Sequence, residues 1–176
     1  TEQYKLLEKL QEYAEKDWLT GIWNRRKWMD LAKIEINRAE RYKRPLTIVY
    51  LDIDHFKSIN DSLGHEGGDM VLTNIVENIS SQLRENDIFG RIGGEEFVIL
   101  FPELNRERAQ NVIERILKTV SQEKITIGKE NLKVTICIGA TVWEGEGKVS
   151  LDELIKKADN ALYISKAAGR NQATFV

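Results

Sequence analysis

The chain of 176 residues has little cysteine, proline or histidine, and none of its apolar runs is long. Its single cysteine, Cys137, has no partner for an internal disulfide, which fits a reducing compartment. No apolar run approaches the roughly 18 residues of a membrane-spanning helix, so the sequence predicts no membrane segment in this chain. With two histidines and one cysteine, a zinc site is not expected.

The sequence also lacks an excess of charge of either sign. Its 26 basic and 28 acidic residues leave a net charge of −2. Non-specific electrostatic binding to DNA or RNA requires a basic surface, so nucleic acid is not an expected partner. The length is typical of one domain, and 41% apolar residues are enough for a hydrophobic core.

Hydrophobic periodicity predicts alternating helices and strands. An amphipathic helix is expected at 4–16, either as the end of an upstream coiled coil or packed on the domain, and two heptads do not decide between these. The other expected helices lie at about 24–42, 68–83, 105–122 and 150–168, and the strands at 46–56, 87–92, 96–101, 132–143 and 172–176. A hairpin among crossovers predicts an α+β fold, with helices packed on a mixed or mainly antiparallel sheet.

Two acidic pairs stand at the ends of predicted neighbouring strands. Asp52 and Asp54 follow an apolar run and point to one face, whereas Glu95 and Glu96 open the next strand but one. A lone pair of aspartates at a strand exit is ordinary turn chemistry, but several carboxylates at one sheet edge repel unless a cation lies between them. Hard divalent ions such as Mg²⁺ take oxygen ligands and leave positions for water and phosphate. The residues therefore predict a carboxylate-held Mg²⁺ site for phosphate chemistry.

The two glutamates are not expected to be equivalent. Adjacent residues of a strand point to opposite faces, so only one of Glu95 and Glu96 joins the Asp52 side directly, unless the turn twists. The residues by themselves leave open which of the two is the metal ligand.

Polar residues after the first long strand are candidates for binding a nucleotide. Lys57 follows the aspartates, and Asn60, His65 and Asp69 could pair with a base edge. Asp69 has an alternative role as the N-cap of the helix expected at 68–83. The nearby glycines suggest tight backbone near a ligand, although loops use glycine routinely.

The segment "KAAGRN" near the C-terminus offers two cations. Lys166 and Arg170 could clamp phosphates, for which the forked guanidinium is well suited. The alternative is a cationic helix end that complements the helix dipole, with Gly169 as the C-cap.

Taken together, these motifs resemble those of the GGDEF family, the diguanylate cyclases. The family motif is present as the variant GGEEF at Gly93 to Phe97, and "DWLTGIWNRR", "LDIDHFKSINDSLGHEGGD" and "KAAGRN" resemble the other family motifs in the family's order. The resemblance implies a cyclase domain at 17–176 after an N-terminal stalk helix at 1–16. It also implies a central five-stranded, mostly antiparallel sheet flanked by helices, similar to the palm of polymerases and nucleotidyl cyclases.

The same resemblance implies a nucleotidyltransferase that condenses two GTP molecules into cyclic di-GMP and releases two pyrophosphates. Mg²⁺, with Mn²⁺ as an alternative, would be held by Asp52, the Ile53 carbonyl and Glu95. Glu96 would add a metal contact or help to deprotonate the attacking 3′-hydroxyl. The residues implied to contact GTP are His55, Phe56, Lys57, Asn60, His65, Asp69, Gly93, Gly94, Lys166 and Arg170. Of these, Asn60 and Asp69 would read the guanine edge.

A two-fold homodimer is implied as well, because each domain binds one GTP and supplies half of an active site. Arg84 and Asp87 form an RxxD motif that resembles the family's inhibitory product site, with Arg115 as a further arginine; a plain surface ion pair is the alternative. An upstream sensor domain is expected in the full-length protein. The use of GTP predicts a cytoplasmic location for this domain. A membrane anchor elsewhere in the parent protein is compatible with that location.

The main alternative is a catalytically weak domain that acts as a receptor for GTP or cyclic di-GMP. No motif position that such domains usually lose is lost here. An enzyme that also accepts ATP is disfavoured by Asp69, because relatives with relaxed specificity carry a smaller residue at that position. A purely structural oligomerisation module leaves the acidic cluster unexplained.

Overall fold

Residues 1–176 are all described by a computed structural model, in which helices and strands alternate along the chain. The helices are α1 (Glu2–Glu15), α2 (Arg25–Tyr42), α3 (Phe56–Ser80), α4 (Arg106–Gln122) and α5 (Leu151–Ala167). The strands are β1 (Trp23–Asn24), β2 (Leu46–Ile53), β3 (Ile88–Arg91), β4 (Glu96–Pro102), β5 (Ile125–Ile127), β6 (Glu130–Leu132), β7 (Ile136–Trp143) and β8 (Ala173–Phe175). The predicted α+β class is confirmed.

The main sheet has the strand order β1-β3-β4-β2-β7-β8. The three central pairings are antiparallel and the two edge strands pair in parallel, so the expected mostly antiparallel sheet is confirmed. The expected number of five strands is wrong, because the sheet has six. The additional strand, β1, has two residues and is too short to show a hydrophobic period.

Helices cover both faces of this sheet and divide the core into two layers. On one face, α3 and α4 form a cluster of 23 buried residues with the sheet, and on the other α2 and α5 form a cluster of 13. The backbone of α5 lies directly against β7 at Gly139, where a Cβ would come within 2.1 Å of the Ala158 carbonyl oxygen. Both faces of β7 are buried from Ile136 to Thr141.

Strand β2 lies at the centre of the sheet and sets the position of the acidic residues. Its register places Asp52 opposite Glu96 of β4 on one side and opposite Cys137 of β7 on the other. The last residues of β2 therefore meet the first residues of β4 at one end of the sheet.

Helix α3 is longer than the sequence predicts, since it begins at Phe56 and not near residue 68. It contains a kink at Gly64, whose φ of 73° and ψ of 174° are not helical. Polar residues in its first half hide the helical period. Asp69 lies well inside this helix, so the alternative in which it serves as an N-cap is wrong.

The strand expected at 132–143 begins only at Ile136, and residues 125–132 form a separate hairpin of β5 and β6. This hairpin lies between the helix expected at 105–122 and the strand expected at 132–143, and shares only Leu132 with the latter. None of the five helices combines the length and apolarity needed to cross a membrane.

Helix α1 buries none of its residues against the rest of the chain. Its apolar side chains point to solvent, with Leu6, Leu7, Leu10 and Tyr13 between 55% and 78% exposed. Of the two alternatives for this helix, packing on the domain is therefore wrong. Polar contacts hold its last turn, including a hydrogen bond from Asn24 Nδ2 to the Ala14 carbonyl at 2.8 Å.

Candidate active site

Asp52, at the end of β2, is 4% exposed and forms an ion pair with Lys166 from the last turn of α5. Burial alone would lower the pKa of Lys166, but the hydrogen bond and charge of Asp52 outweigh burial and raise that pKa. The lysine therefore remains a cation beside the carboxylate.

One carboxylate oxygen of Asp52 has no partner. Lys166 contacts Oδ2, whereas Oδ1 is buried and accepts no hydrogen bond. Burial raises the pKa of Asp52, and the attraction of Lys166 does not compensate for it. A buried carboxylate oxygen without a donor is unfavourable. A cation at Oδ1 would relieve that cost.

Glu95 and Glu96 reach the same end of the sheet from the turn between β3 and β4. Glu96 is the first residue of β4 and lies opposite Asp52. Glu95 precedes the strand, and its carbonyl accepts the Ile53 amide at 3.4 Å. Burial raises the pKa of Glu95, and the negative charges of Asp52 and Glu96 raise it further. Strand alternation therefore does not separate the glutamates, because only Glu96 belongs to the strand.

Arg91 stabilises this turn, although no sequence motif marks it as a functional residue. Its guanidinium donates to the Gly93 carbonyl at 3.2 Å and the Gly94 carbonyl at 2.7 Å, and pairs with Asp17 at 3.2 Å. Burial would raise the pKa of Asp17, but hydrogen bonds from Thr20 and the charge of Arg91 lower it. Since Asp17 follows α1 directly, the ion pair connects the end of that helix to the acidic turn. The one signal for it is Asp17 in "DWLT", 74 residues from its partner.

The two glycines of the turn have different surroundings. A Cβ on Gly93 would come within 2.6 Å of Glu96 Oε2, so a side chain at this position would displace the Glu96 carboxylate. A Cβ on Gly94 would meet nothing within 4 Å, because this residue is exposed. Space for a nucleotide against the turn remains a prediction, and Gly94 is the glycine that borders open space.

Asp54 has surroundings unlike those of Asp52. It is 6% exposed, and its Oδ2 accepts the Thr135 hydroxyl at 2.6 Å and the Asn171 amide at 2.9 Å. Its Oδ1 accepts the Cys137 thiol at 2.9 Å. Burial, followed by the hydrogen bond to Asp54, raises the pKa of Cys137 to about 12, so the thiol stays protonated. Asp54 thus joins the end of β2, the start of β7 and the segment after α5.

The expected base-binding residues lie around the first half of α3. The predicted residues in or next to this segment are His55, Phe56, Lys57, Asn60, His65 and Asp69. Lys57 and His65 are exposed, while Phe56 is buried. Asn60 lies against the backbone of Gly68, where a Cβ would come within 1.8 Å of its Oδ1. The kink in α3 therefore brings Asn60 next to the residue that precedes Asp69.

Three consecutive residues after α5 have positive φ: Gly169 at 117°, Arg170 at 66° and Asn171 at 46°. Gly169 ends the helix in a left-handed conformation, as the capping alternative predicts. The turn also brings Arg170 to Lys166, since the Arg170 guanidinium donates to the Lys166 carbonyl at 3.5 Å. Both predicted phosphate-binding cations therefore lie at this end of α5.

Arg84 and Asp87 lie before β3, at the opposite end of that strand from the acidic turn. They form an ion pair at 3.0 Å in which the Asp87 side chain is 2% exposed and that of Arg84 is 53% exposed. Arg115 approaches from α4 and donates to the Gln82 carbonyl at 3.2 Å. The pair agrees with the surface ion-pair alternative, and a product site at these residues remains a prediction.

A divalent metal fits the carboxylate end on two observations. Asp52 Oδ1 is buried without a partner, and burial raises the pKa of both Asp52 and Glu95. No three histidine, cysteine, aspartate or glutamate side chains form a complete cluster. The donor set would therefore include oxygens from outside the side chains, such as the predicted Ile53 carbonyl, water or a phosphate.

These features define a class of protein: an α+β domain whose central antiparallel strands end in carboxylates, beside a glycine turn and a lysine. A family model described as "Diguanylate cyclase, GGDEF domain" matches residues 14–172. The chain belongs to this family.

Individual relatives differ in their named activities. The chain is 39% identical to the probable diguanylate cyclase DgcT of Escherichia coli, over 90% of this chain and 35% of DgcT. It is 35% identical to the cyclic di-GMP phosphodiesterase NbdA of Pseudomonas aeruginosa, over 94% of this chain and 21% of NbdA. The chain thus spans about a third or less of these two proteins.

A solved structure covers nearly the whole chain. The coiled coil and GGDEF domain of DgcB from Caulobacter crescentus, in complex with c-di-GMP, superposes with a TM-score of 0.91 at 30% identity. The superposition covers 99% of this chain and 92% of that chain. The resemblance therefore extends to α1 as well as to the sheet.

Proposed function

We propose that this chain is an active diguanylate cyclase, which joins two GTP molecules into cyclic di-GMP with release of two pyrophosphates. The observation that carries the proposal is the Asp52 carboxylate, which is buried with one unpartnered oxygen, lies opposite Glu96, interacts with the charge of Glu95 and forms an ion pair with Lys166. A site of this kind favours a cation that binds together with a further oxygen ligand, and Mg²⁺ bound to a nucleoside triphosphate is such a cation.

Asp52, the Ile53 carbonyl and Glu95 would hold Mg²⁺, with Mn²⁺ as an alternative. When bound, the metal would neutralise charge on the triphosphate during attack at the α-phosphorus. Glu96 would either contribute a metal contact or accept the proton of the attacking 3′-hydroxyl. Lys166 and Arg170, which lie at one end of α5, would offset the charge of the departing pyrophosphate.

Guanine would be bound at the kink in α3. Asn60 and Asp69 would pair with the base edge, with His65 beside them. The close approach of Asn60 to Gly68 supports this assignment, because it limits the positions that the amide can take. Lys57, the backbone at His55 and Phe56, and the Gly93–Gly94 turn would contact the phosphates and the body of the nucleotide.

Two copies would meet in two-fold symmetry, so that each 3′-hydroxyl reaches the α-phosphorus bound by the other. One observation supports this arrangement. The exposed apolar side of α1 would be covered by the same helix of the second copy, with residues 1–16 as the stalk that follows an upstream sensor.

Cyclic di-GMP would inhibit the enzyme at Arg84, Asp87 and Arg115. The Arg84 side chain is half exposed and held by Asp87, so its guanidinium is fixed and accessible to a phosphate. The enzyme would act in the cytoplasm, where GTP is available.

Incubation with GTP and Mg²⁺, followed by chromatographic identification of the nucleotides, tests the proposal. Cyclic di-GMP is the expected product, and chelation of the metal should stop its formation. A dimeric sample that binds nucleotide and makes no product would support the receptor alternative instead. For product inhibition, Arg84→Ala should raise the cyclic di-GMP concentration at which turnover stalls, and an unchanged stalling point would remove that assignment.

A further inference from the structure

The segment after α5 has an unusual backbone conformation. Gly169, Arg170 and Asn171 all have positive φ, which glycine and asparagine tolerate but arginine rarely adopts. Residues persist in such conformations only where their surroundings fix them. Arg170 belongs to this segment, and Lys166 precedes it in the last turn of α5. The contacts that fix the segment therefore also affect the positions of these two cations.

The fixing group is the carboxylate of Asp54. Its Oδ2 accepts the Asn171 amide at 2.9 Å, across 117 residues of sequence. The Arg170 amide donates instead to the Ser165 carbonyl, so the Asn171 amide is the bond from this segment to Asp54.

Asp54 is immobilised in turn by the start of β7. The Thr135 hydroxyl and the Cys137 thiol donate to its carboxylate, and its own amide donates to the Thr135 carbonyl at 2.9 Å. Because protein donors already surround its oxygens, Asp54 is not a free metal ligand like Asp52. Its position nevertheless connects the strand that carries Asp52 to the segment that carries Arg170.

We propose that Asp54 is a positioning residue for the triphosphate cations: by binding the Asn171 amide, it holds Arg170 and the end of α5 with Lys166 in the geometry that GTP meets. This inference rests on the proposed cyclase function. Asp54 would touch no reacting atom and would act only through the segment Gly169–Asn171. Its loss should therefore weaken GTP binding more than it slows the bound substrate.

Asp54→Asn and Asp54→Ala separate this role from simple filling of a buried space. The amide oxygen of asparagine can replace Oδ2 and accept from both Thr135 and Asn171, whereas alanine removes the acceptor. Asp54→Ala should raise the KM for GTP about tenfold or more, the worth of one charge-assisted hydrogen bond, with a smaller change in kcat. Asp54→Asn should restore most of the KM, and equal KM values for wild type and Asp54→Ala would overturn the proposal.

Amide hydrogen exchange at Asn171 provides a readout that does not need turnover. Protection of this amide should be lost in Asp54→Ala and kept in Asp54→Asn; retained protection in Asp54→Ala would contradict the proposal. If the wild type makes no cyclic di-GMP, the proposed function fails, while this exchange measurement still decides whether Asp54 holds the segment.

Thr47→Val is a matched control at the other end of β2. It removes a buried hydrogen bond of 3.0 Å to the Leu104 carbonyl, so it should destabilise the fold without changing the KM for GTP. A raised KM in this control would mean that any loss of stability has the same effect. Should Asp54→Ala fail to fold, Thr135→Val combined with Cys137→Ala loosens Asp54 and should raise the KM by a smaller factor; an unchanged KM there would also count against the proposal.

Discussion

The surroundings of Asp52 and Asp54 differ sharply, although the two residues lie at the same end of β2. Asp54 accepts three hydrogen bonds from two other parts of the chain. Asp52 has one cation, Lys166, and shares its space with two further carboxylates while one of its oxygens has no donor. The Asp54 carboxylate is hydrogen-bonded by the protein at both oxygens, whereas the Asp52 carboxylate keeps one oxygen without a donor. We therefore expect Asp54 to contribute more to the stability of the fold, and Asp52 to be the one of the two that can contact a ligand directly.

The largest expected effect is on turnover at the Asp52 side. Glu95→Gln removes a predicted metal ligand at nearly constant shape and should reduce cyclic di-GMP formation by about a hundredfold or more. Thermal unfolding should show equal or higher stability, because a like charge near Asp52 is removed. The control is Glu144→Gln, which removes an exposed acid outside the site. Full turnover in Glu95→Gln would show that Glu95 is not needed for the metal.

The next effect is a difference in stability between the two aspartates. Asp54→Ala should lower the free energy of unfolding by about 2–4 kcal/mol, since it leaves three buried or half-buried donors without their acceptor. Asp52→Asn should change it by less than about 1 kcal/mol or increase it, because the charge that burial disfavours is removed. Urea unfolding of both variants without divalent ions measures the difference. Equal losses would mean that Asp54 contributes no more to the stability of the fold than Asp52 does.

A smaller effect is expected in the pH dependence of stability. Since the pKa values of Asp52 and Glu95 are raised in the folded state, the folded chain binds protons more tightly than the unfolded chain at these groups. Their contribution is complete below the ordinary carboxylate pKa of about 4 and is lost as pH rises through the raised values. Urea titrations from pH 4 to neutrality, without divalent ions, should show this loss, and Glu95→Gln should reduce it. A steeper loss in Glu95→Gln than in wild type would contradict the assignment.

The smallest change in stability is expected from α1. Removal of residues 1–13 should alter the free energy of unfolding of the isolated domain by no more than about 0.5 kcal/mol, since the helix buries no residue. The same truncation should reduce turnover at low protein concentration by weakening the dimer, and sedimentation measures that association. Leu10→Glu is the matched point variant, because it places a charge on the exposed apolar side and keeps the helix. Unchanged association in both variants would remove α1 from the proposed dimer.

Several elements could be predicted because each carries its own periodic signal. Helix α4 was expected at 105–122 and spans Arg106–Gln122, and α5 was expected at 150–168 and spans Leu151–Ala167. Their apolar residues recur on one face over more than four turns, and Asn105 and Ser150 cap them. Strand β2 was identified for a related reason, as a run of buried β-branched and aromatic residues.

The elements that were missed lack such a signal. The first half of α3 is polar and ends at Gly64, β1 has two residues, and the β5–β6 hairpin has strands of three. Short or polar segments gain their structure from pairing and packing, which depend on residues far away in sequence. The role of Arg91 is not predictable for a similar reason, because its partner Asp17 lies 74 residues earlier in the sequence.

The sequence by itself determined the family, the helices with a strong period and the candidate acidic residues, because these are properties of local pattern and residue type. Only the tertiary structure decided how the carboxylates differ. The sequence pattern does not distinguish Asp52 from Asp54. For Glu95 and Glu96, strand alternation predicts side chains on opposite faces of the sheet. Packing brings Thr135, Cys137 and Asn171 to Asp54, leaves Asp52 Oδ1 without a donor, and places Glu95 before the strand, where alternation no longer applies. The physical reason is that burial and hydrogen bonding are set by neighbours in space, and the residues that decide them here come from strands and loops more than 80 positions apart.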